Sequence, residues 1–167
     1  QIGVQQNPKT YFDQLNKWVS QVASLNFYFV TRASGGAANP VVLEEKTDKR
    51  FSNEEWKSNL FFDFIKQFYL ISTNFLNNLI ENVEFKDPKD KRLMQFYLKQ
   101  LNSALSPSNF AFTNPEVLKK TVDEKGNNLA KGYENYKKDF EKHPNKLFIQ
   151  QSKAGEFEIG KNLATTK

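Results

Sequence analysis

Across residues 59–82 the chain places apolar side chains at Phe61, Phe64, Ile65, Phe68, Tyr69, Ile71, Phe75, Leu76, Leu79 and Ile80. The spacing is helical, yet it covers far more than the single stripe a surface helix needs. Such a helix is predicted to be contacted from several sides, so the other elements must gather round it. Asp63 and Lys66 interrupt the run over residues 60–70. It therefore lacks the roughly 20 uninterrupted apolar residues of a membrane span, and no transmembrane segment is expected. The rings belong to a wider bias, with 16 Phe, 6 Tyr and 2 Trp against one Met among 167 residues. Either the core or a contact surface is aromatic.

The surrounding sequence reads as helices with clear punctuation. Residues 9–30 carry Phe12, Leu15, Val19, Val22 and Leu25 at steps of three or four, a first helix with one apolar face. Ala33-Ser34-Gly35-Gly36-Ala37-Ala38-Asn39-Pro40 then predicts a flexible linker and a boundary over 33–47. Ser52 and Glu55 have capping-box spacing just before Trp56. Asp87-Pro88 starts a helix, because Asp accepts from free amides and Pro lacks the N–H that would be orphaned. Its predicted buried face is Leu93, Phe96, Tyr97, Leu101, Ala104 and Leu105, and Pro107 stops it.

Asn114-Pro115-Glu116 opens a last long helix along Leu118, Val122, Leu129, Tyr133, Tyr136 and Phe140, past Gly126 and Gly132 to Pro144. Phe148-Ile149 and Phe157-Glu158-Ile159 look extended but have no partners for a sheet. The expected fold class is all-α, an irregular multi-helix bundle with an extended C-terminal arm. Its expected parts are an N-terminal helix (1–32), the linker (33–47), a helical domain (48–146) and the arm (147–167).

The chemistry available is narrow. Cysteine is absent, which removes disulfides, thiolate metal sites and thiol nucleophiles, and fits a cytoplasmic setting. Gly155-Glu156-Phe157-Glu158-Ile159-Gly160-Lys161-Asn162 approaches a phosphate-binding loop. Asn replaces the magnesium-binding Ser or Thr, however, and two carboxylates inside it repel phosphate. His143, the one histidine, cannot build a zinc site alone. Glu44-Glu45, Glu54-Glu55 and Asp123-Glu124 are sequence neighbours, so on a helix they diverge.

Lys86, Lys89, Lys91, Arg92 and Lys99 form the most basic patch. Asp87 and Asp90 dilute it and no binding motif accompanies it, so nucleic acid is not an expected partner. No catalytic residue, cofactor or metal ligand is assigned. Gln1-Ile2-Gly3 shows no secretory pattern and no Met, which suits a trimmed or cut chain.

Ser106-Pro107-Ser108-Asn109-Phe110-Ala111-Phe112-Thr113-Asn114-Pro115-Glu116 resembles the signature of polyhydroxyalkanoate synthase N-terminal regions, where a Pro-Ser-Asn-Phe turn leads into Thr-Asn-Pro-Glu. Asp48-Lys49-Arg50-Phe51 with Trp56, Gln67-Phe68-Tyr69-Leu70, and Gly126, Leu129 and Gly132 agree in order and spacing. The stretch from Phe157 through Gly160-Lys161-Asn162-Leu163-Ala164 to Thr166 resembles the segment before the family's catalytic domain.

The resemblance implies a parent acyltransferase that adds 3-hydroxyacyl units from CoA thioesters to a polyester. Its cysteine nucleophile would lie in an α/β-hydrolase domain beyond Lys167. The resemblance further implies partners for this region: that catalytic domain, a second copy in a homodimer, and the granule surface or a phasin. Phe51, Trp56, Pro107, Ser108, Asn109, Phe110, Asn114, Pro115 and Glu116 are its signature residues here. Read physically, the signature is a structural corner between two helices, with Phe110 and Phe112 anchoring the loop. The surplus rings at Phe61, Phe64, Phe68, Tyr69 and Phe75 are the expected interaction face. A free-standing helical adaptor for protein or granule-surface contacts is the alternative reading.

Overall fold

The computed structural model describes residues 4–5 and 8–142. The extended arm, the phosphate-loop-like stretch, His143 and Pro144 lie outside the described residues. The fold is all-α, with one two-residue antiparallel ribbon, β1 (Val4–Gln5) on β2 (Glu84–Phe85), pairing Val4 with Phe85 and Gln5 with Glu84. The chain divides into a compact unit through Lys119 and a second from Lys120 onward.

In the first unit, α3 (Leu60–Glu81) is the hub, touched by α1 (Pro8–Ala33), the short α2 (Glu55–Ser58), α4 (Pro88–Ala104) and the 3₁₀ turn Pro107–Asn109. Asn59 starts the hub: its Oδ1 accepts from the amides of Phe61 (3.0 Å) and Phe62 (3.5 Å), two donors with no partner inside the helix. One core cluster joins Phe51, Trp56, Phe62 and Leu70, and Leu118 of α5 (Pro115–Asp123) packs against it. Its rings meet edge to face, Phe51 on Trp56 at 5.0 Å and Trp56 on Phe62 at 5.8 Å, as their quadrupoles favour. A second cluster joins Leu25 and Tyr28 of α1 to Ile71, with Trp18, Val22 and Phe64 around it.

These contacts divide the expected interaction face. Phe64 meets Phe29 edge-on at 5.2 Å, Tyr69 lies 5.9 Å from Phe51, and Phe75 lies 5.9 Å from Trp18. Phe61 and Phe68 alone among the five are exposed. The inward face of α1 also differs from the expected one. Trp18, Val22, Leu25 and Tyr28 turn in, whereas Phe12 and Val19 face out. That rotation points Arg32 toward Asp63.

Asp63, Lys66 and Gln67 of α3 are buried polar groups in the middle of the apolar run. Asp63 Oδ2 accepts hydrogen bonds from the Tyr28 hydroxyl and from Arg32 Nη1 (2.8 Å). Its Oδ1 accepts from Gln67 Nε2 (3.2 Å) and pairs with Lys66 Nζ (3.3 Å), which also pairs with Glu44 (3.3 Å). Two cations and two anions thus compensate one another, as buried charges require. Burial first, and then the hydrogen bond to Asp63, hold the Tyr28 hydroxyl above its ordinary pKa, so it stays a protonated donor.

Residues 34–47 form no helix or strand, as their Gly and Pro content predicts. They are nevertheless fastened rather than free. Gln67 Oε1 accepts from the amides of Val41 (2.7 Å) and Val42 (3.4 Å), both valines pack on the cores, and Glu44 reaches Lys66. The segment is a strap, and the boundary expected there gives way to one continuous unit through Lys119.

Capping differs too. Asn53 Oδ1 accepts from the Glu55 amide (2.9 Å), while Ser52 Oγ turns back to donate to Lys49 O (2.9 Å), so Asn53 takes the role expected of Ser52. The expected last long helix is two, α5 and α6 (Asn127–Lys142). Lys125 (φ 51°) and Gly126 (φ 84°) are left-handed, and the Gly126 amide donates back to Thr121 O at 2.8 Å, which closes α5.

Acid sensitivity follows from the strap. Donors on the Arg50 side chain hold the Asp48 carboxyl below its usual range. Burial pushes Glu44 up, but a bond from its own amide, with Lys66 and Lys57, outweighs this and holds it low. Folded values below the unfolded ones give stability that is complete above the ordinary 4.5 and 3.8 and is lost as pH falls through the folded values. The urea midpoint is expected to stay level from neutral pH to about 5 and then fall. Asp48→Asn should make that acid slope shallower.

Candidate docking face

Helix α4 begins where Asp87 Oδ1 accepts from the Lys89 amide (2.8 Å). It is held to the hub by polar contacts. Tyr69 OH donates to Asn102 O (2.8 Å), Asn102 Nδ2 to Asn77 Oδ1 (3.2 Å) and Gln95 Nε2 to Glu81 Oε1 (3.1 Å), while Lys91 Nζ reaches Glu81 O (2.9 Å). Arg50 supports this side, with Nε and Nη2 on the two oxygens of Asp48 (2.9 and 2.8 Å) and Nη1 on Tyr69 OH (2.8 Å). Between strap, α3 and α4 lies a groove of about 690 Å³ of mixed lining, with Asn74, Asn77, Gln95 and Asn102 beside Leu70, Ile80 and Leu98.

The opposite side of α4 is apolar and faces solvent. Leu93, Phe96, Tyr97, Leu101 and Leu105 are all exposed, Phe96 at 56% and Tyr97 at 60%. No residue of α4 belongs to either core cluster. The face predicted to be buried is therefore outward, and the polar face is inward. An amphipathic helix turned this way leaves its apolar side open to a contact that the described residues of the first unit do not make. Full burial of each exposed Leu or Phe is worth about 1.5–3 kcal/mol, which this unit leaves unrealised. Lys86, Lys89, Arg92 and Lys99 are exposed along this part of the chain, with Lys91 turned to Glu81. Phe96 and Tyr97, placed by sequence on a buried face beside these cations, stand in the open with them.

Helix α4 runs into the signature corner. Asn109 Nδ2 donates to Ser103 O (2.7 Å) and Ala104 O (3.2 Å), closing the helix end. Ser106 and Pro107 are buried, and the Ser106 and Ser108 hydroxyls lie 2.8 Å apart. Thr113 Oγ1 donates to Pro107 O (2.6 Å), and Asn114 Nδ2 to Ser108 O (2.7 Å). Asn114 Oδ1 accepts from the Glu116 amide (2.9 Å) to start α5, and Glu116 Oε1 accepts from Asn53 Nδ2 (3.1 Å). Asn109 and Asn114 are spent on the ends of the two helices, Ser108 on Ser106 within the turn, and Glu116 on Asn53. The two rings expected to anchor the loop do not: Phe110 and Phe112 are exposed, Phe112 at 77%. Phe51 and Trp56, by contrast, lie in the core.

The profile described as the poly-beta-hydroxybutyrate polymerase (PhaC) N-terminus matches residues 47–167. The chain belongs to that polymerase N-terminus family. A poly(3-hydroxyalkanoate) polymerase of Methylorubrum extorquens is 37% identical over 160 residues, 96% of this chain and 26% of the relative. The PhaC polymerase subunit of Rhizobium etli is 35% identical over 81% of this chain and 21% of its own length. That of Cupriavidus necator is 33% identical over 72% and 20%. The chain thus spans about a quarter or less of the curated polymerases it matches. No solved structure matches it. Among the described residues of this polymerase N-terminus no three His, Asp or Glu side chains gather as a metal site, and no helix is long and apolar enough to cross a membrane.

Proposed function

We propose that this chain is the non-catalytic N-terminal region of a polymerase that joins 3-hydroxyacyl units from CoA thioesters into polyester, and that it docks on the rest of that enzyme through the outward face of α4. The inverted amphipathic helix carries this reading: Leu93, Phe96, Tyr97, Leu101 and Leu105 face out while Gln95 and Asn102 face in. Relatives four to five times as long as the matched stretch supply a body for the face to meet. The absence of cysteine supports assigning the acyl-carrying step elsewhere and a cytoplasmic setting. A second reading, contact with the polyester granule surface or a phasin, is favoured by the exposed cations Lys86, Lys89, Arg92 and Lys99 near the same face.

The double substitution Phe96→Ser with Leu101→Ser tests the docking. In the isolated chain it should move the unfolding free energy by no more than about 0.5 kcal/mol, since both residues are exposed. In the complete polymerase it should reduce polymer yield several-fold. Release of CoA from 3-hydroxybutyryl-CoA by the purified chain would remove the non-catalytic assignment. Unchanged polymer yield in the double variant would remove α4 as the docking face.

A further inference from the structure

The groove between strap, α3 and α4 is a site apart from the outward face of α4. At about 690 Å³ it lies within the roughly 300–1,000 Å³ of small-molecule sites. Its α3 wall runs from Leu70 to Glu81, about 16 Å of helix, so it suits an extended chain. Its strap wall is fixed in advance. Val42 and Glu44 tie down to Gln67 and Lys66, and the alternating Leu43, Glu45 and Thr47 line the groove.

The lining narrows the occupant to a neutral one. Arg50 is taken up by Asp48 and Tyr69, and Glu81 by Lys91 and Gln95. Glu45 and Lys99, one of each sign, are the ionic groups left. In the middle lie two amides. Asn102 is 8% exposed and is held by the Tyr69 hydroxyl on its main-chain oxygen (2.8 Å), while its Nδ2 donates to Asn77 Oδ1 (3.2 Å). This leaves Asn102 Oδ1 and Asn77 Nδ2 without partners among the described residues. Turned over together, the two amides would still leave one carbonyl and one NH2. The occupant must therefore both donate and accept, and Leu70, Ile80 and Leu98 in the same lining ask for short alkyl groups.

We propose that the groove holds the hydroxyl end of a short 3-hydroxyacyl oligoester, an inference that rests on reading the parent enzyme as a polyester-forming polymerase. Such an end is uncharged. Its hydroxyl donates to Asn102 Oδ1, the first carbonyl, two carbons along, accepts from Asn77 Nδ2, and the alkyl branch meets Leu70, Ile80 and Leu98. Each further unit adds a carbonyl and an alkyl branch but no donor, and Lys99 Nζ supplies donors for those carbonyls. A neutral peptide offers the same two kinds of group. The ester is chosen because the matched relatives are poly(3-hydroxyalkanoate) polymerases, whose named product contains no amide. The site keeps a young chain on the polymerase while it is still short enough to diffuse away.

Titration calorimetry of the 167-residue chain tests this with the methyl ester of the linear 3-hydroxybutyrate trimer, a neutral, hydroxyl-ended probe. It should bind at millimolar concentration or below, and nuclear magnetic resonance shifts should gather over residues 70–81 and 95–103. Acetylating the hydroxyl should weaken binding about tenfold, the loss of one hydrogen bond to a buried carbonyl. Asn77→Asp, at an exposed position, keeps an acceptor for Asn102 and removes the NH2, so it should keep the helical circular dichroism and lower the affinity by a similar factor. The acetylated probe needs no variant, so the test survives any change in fold. The proposal is overturned if the trimer gives no heat and no shifts, or if the acetylated trimer or the Asn77→Asp chain binds equally well. It is equally overturned if a capped alanine peptide of the same length binds more tightly than the trimer. The α4 double variant should bind the trimer as the unaltered chain does, and none of these readouts is CoA release or polymer yield, so the groove and the docking face fail or stand separately.

Discussion

Replacing Asp63 by alanine is expected to lower the unfolding free energy by about 3–5 kcal/mol, the cost of removing one partner from a buried charge group. The residue is 2% exposed, and its carboxylate accepts from Tyr28, Arg32 and Gln67 while pairing with Lys66. Without it, Lys66 keeps Glu44 alone, and Arg32 keeps only the Tyr28 hydroxyl and the carbonyls of Lys57 and Ser58. Asp63→Asn keeps one oxygen to accept from Tyr28 and Arg32 but removes the charge and turns an NH2 toward Gln67 Nε2 and Lys66 Nζ, so it should recover only part of the loss. Denaturant unfolding followed by circular dichroism measures both. A loss under about 1 kcal/mol for the alanine variant would show that water reaches these groups on demand, contrary to their burial.

Trp56→Ala should cost a similar amount, about 3–5 kcal/mol, by a different mechanism. The indole is 1% exposed and wedged edge-on between Phe51 and Phe62, so its removal loses transfer energy and leaves a cavity walled by rings. Trp56→Phe should recover part of the loss. The contrast with Phe96, a ring of comparable size whose replacement should hardly move stability, separates an aromatic residue that builds the unit from one that serves its surroundings. Thermal melts of the two variants side by side suffice.

The hub helix, its many-sided contacts and most helix starts were legible in the sequence because they rest on local rules. Asn59, Asp87 and Asn114 each cap as their chemistry dictates. The role of α4 was not legible. Leu93, Phe96, Tyr97, Leu101 and Leu105 have the periodicity of a buried face, and periodicity reports that a face will be covered without saying by which chain. The strap was hidden for a related reason: Gly35, Gly36 and Pro40 report backbone irregularity, which is compatible with tight fastening once Gln67 supplies an acceptor for two amides. A signal was present. Asp63, Lys66 and Gln67 share one face, at i, i+3 and i+4, of an apolar helix expected to be contacted on several sides, and on a contacted side they would need partners. The break at Lys125 and Gly126 was missed because the apolar spacing continues across it; the glycine was the available cue.

The way the strap is tied bears on how separable this region is. The family profile's match opens at residue 47, three positions after Glu44 and five after Val42. A fragment cut at that edge would keep Lys66 in its interior while discarding its second carboxylate, and would strip Gln67 of the two amides it receives. The profile-matched segment and the compact unit through Lys119 therefore do not coincide in this chain. Swapping such regions between polymerases at the edge of that profile would transplant an incomplete piece, and a workable graft would start ahead of α1, into which the 160-residue similarity to the Methylorubrum extorquens polymerase also reaches.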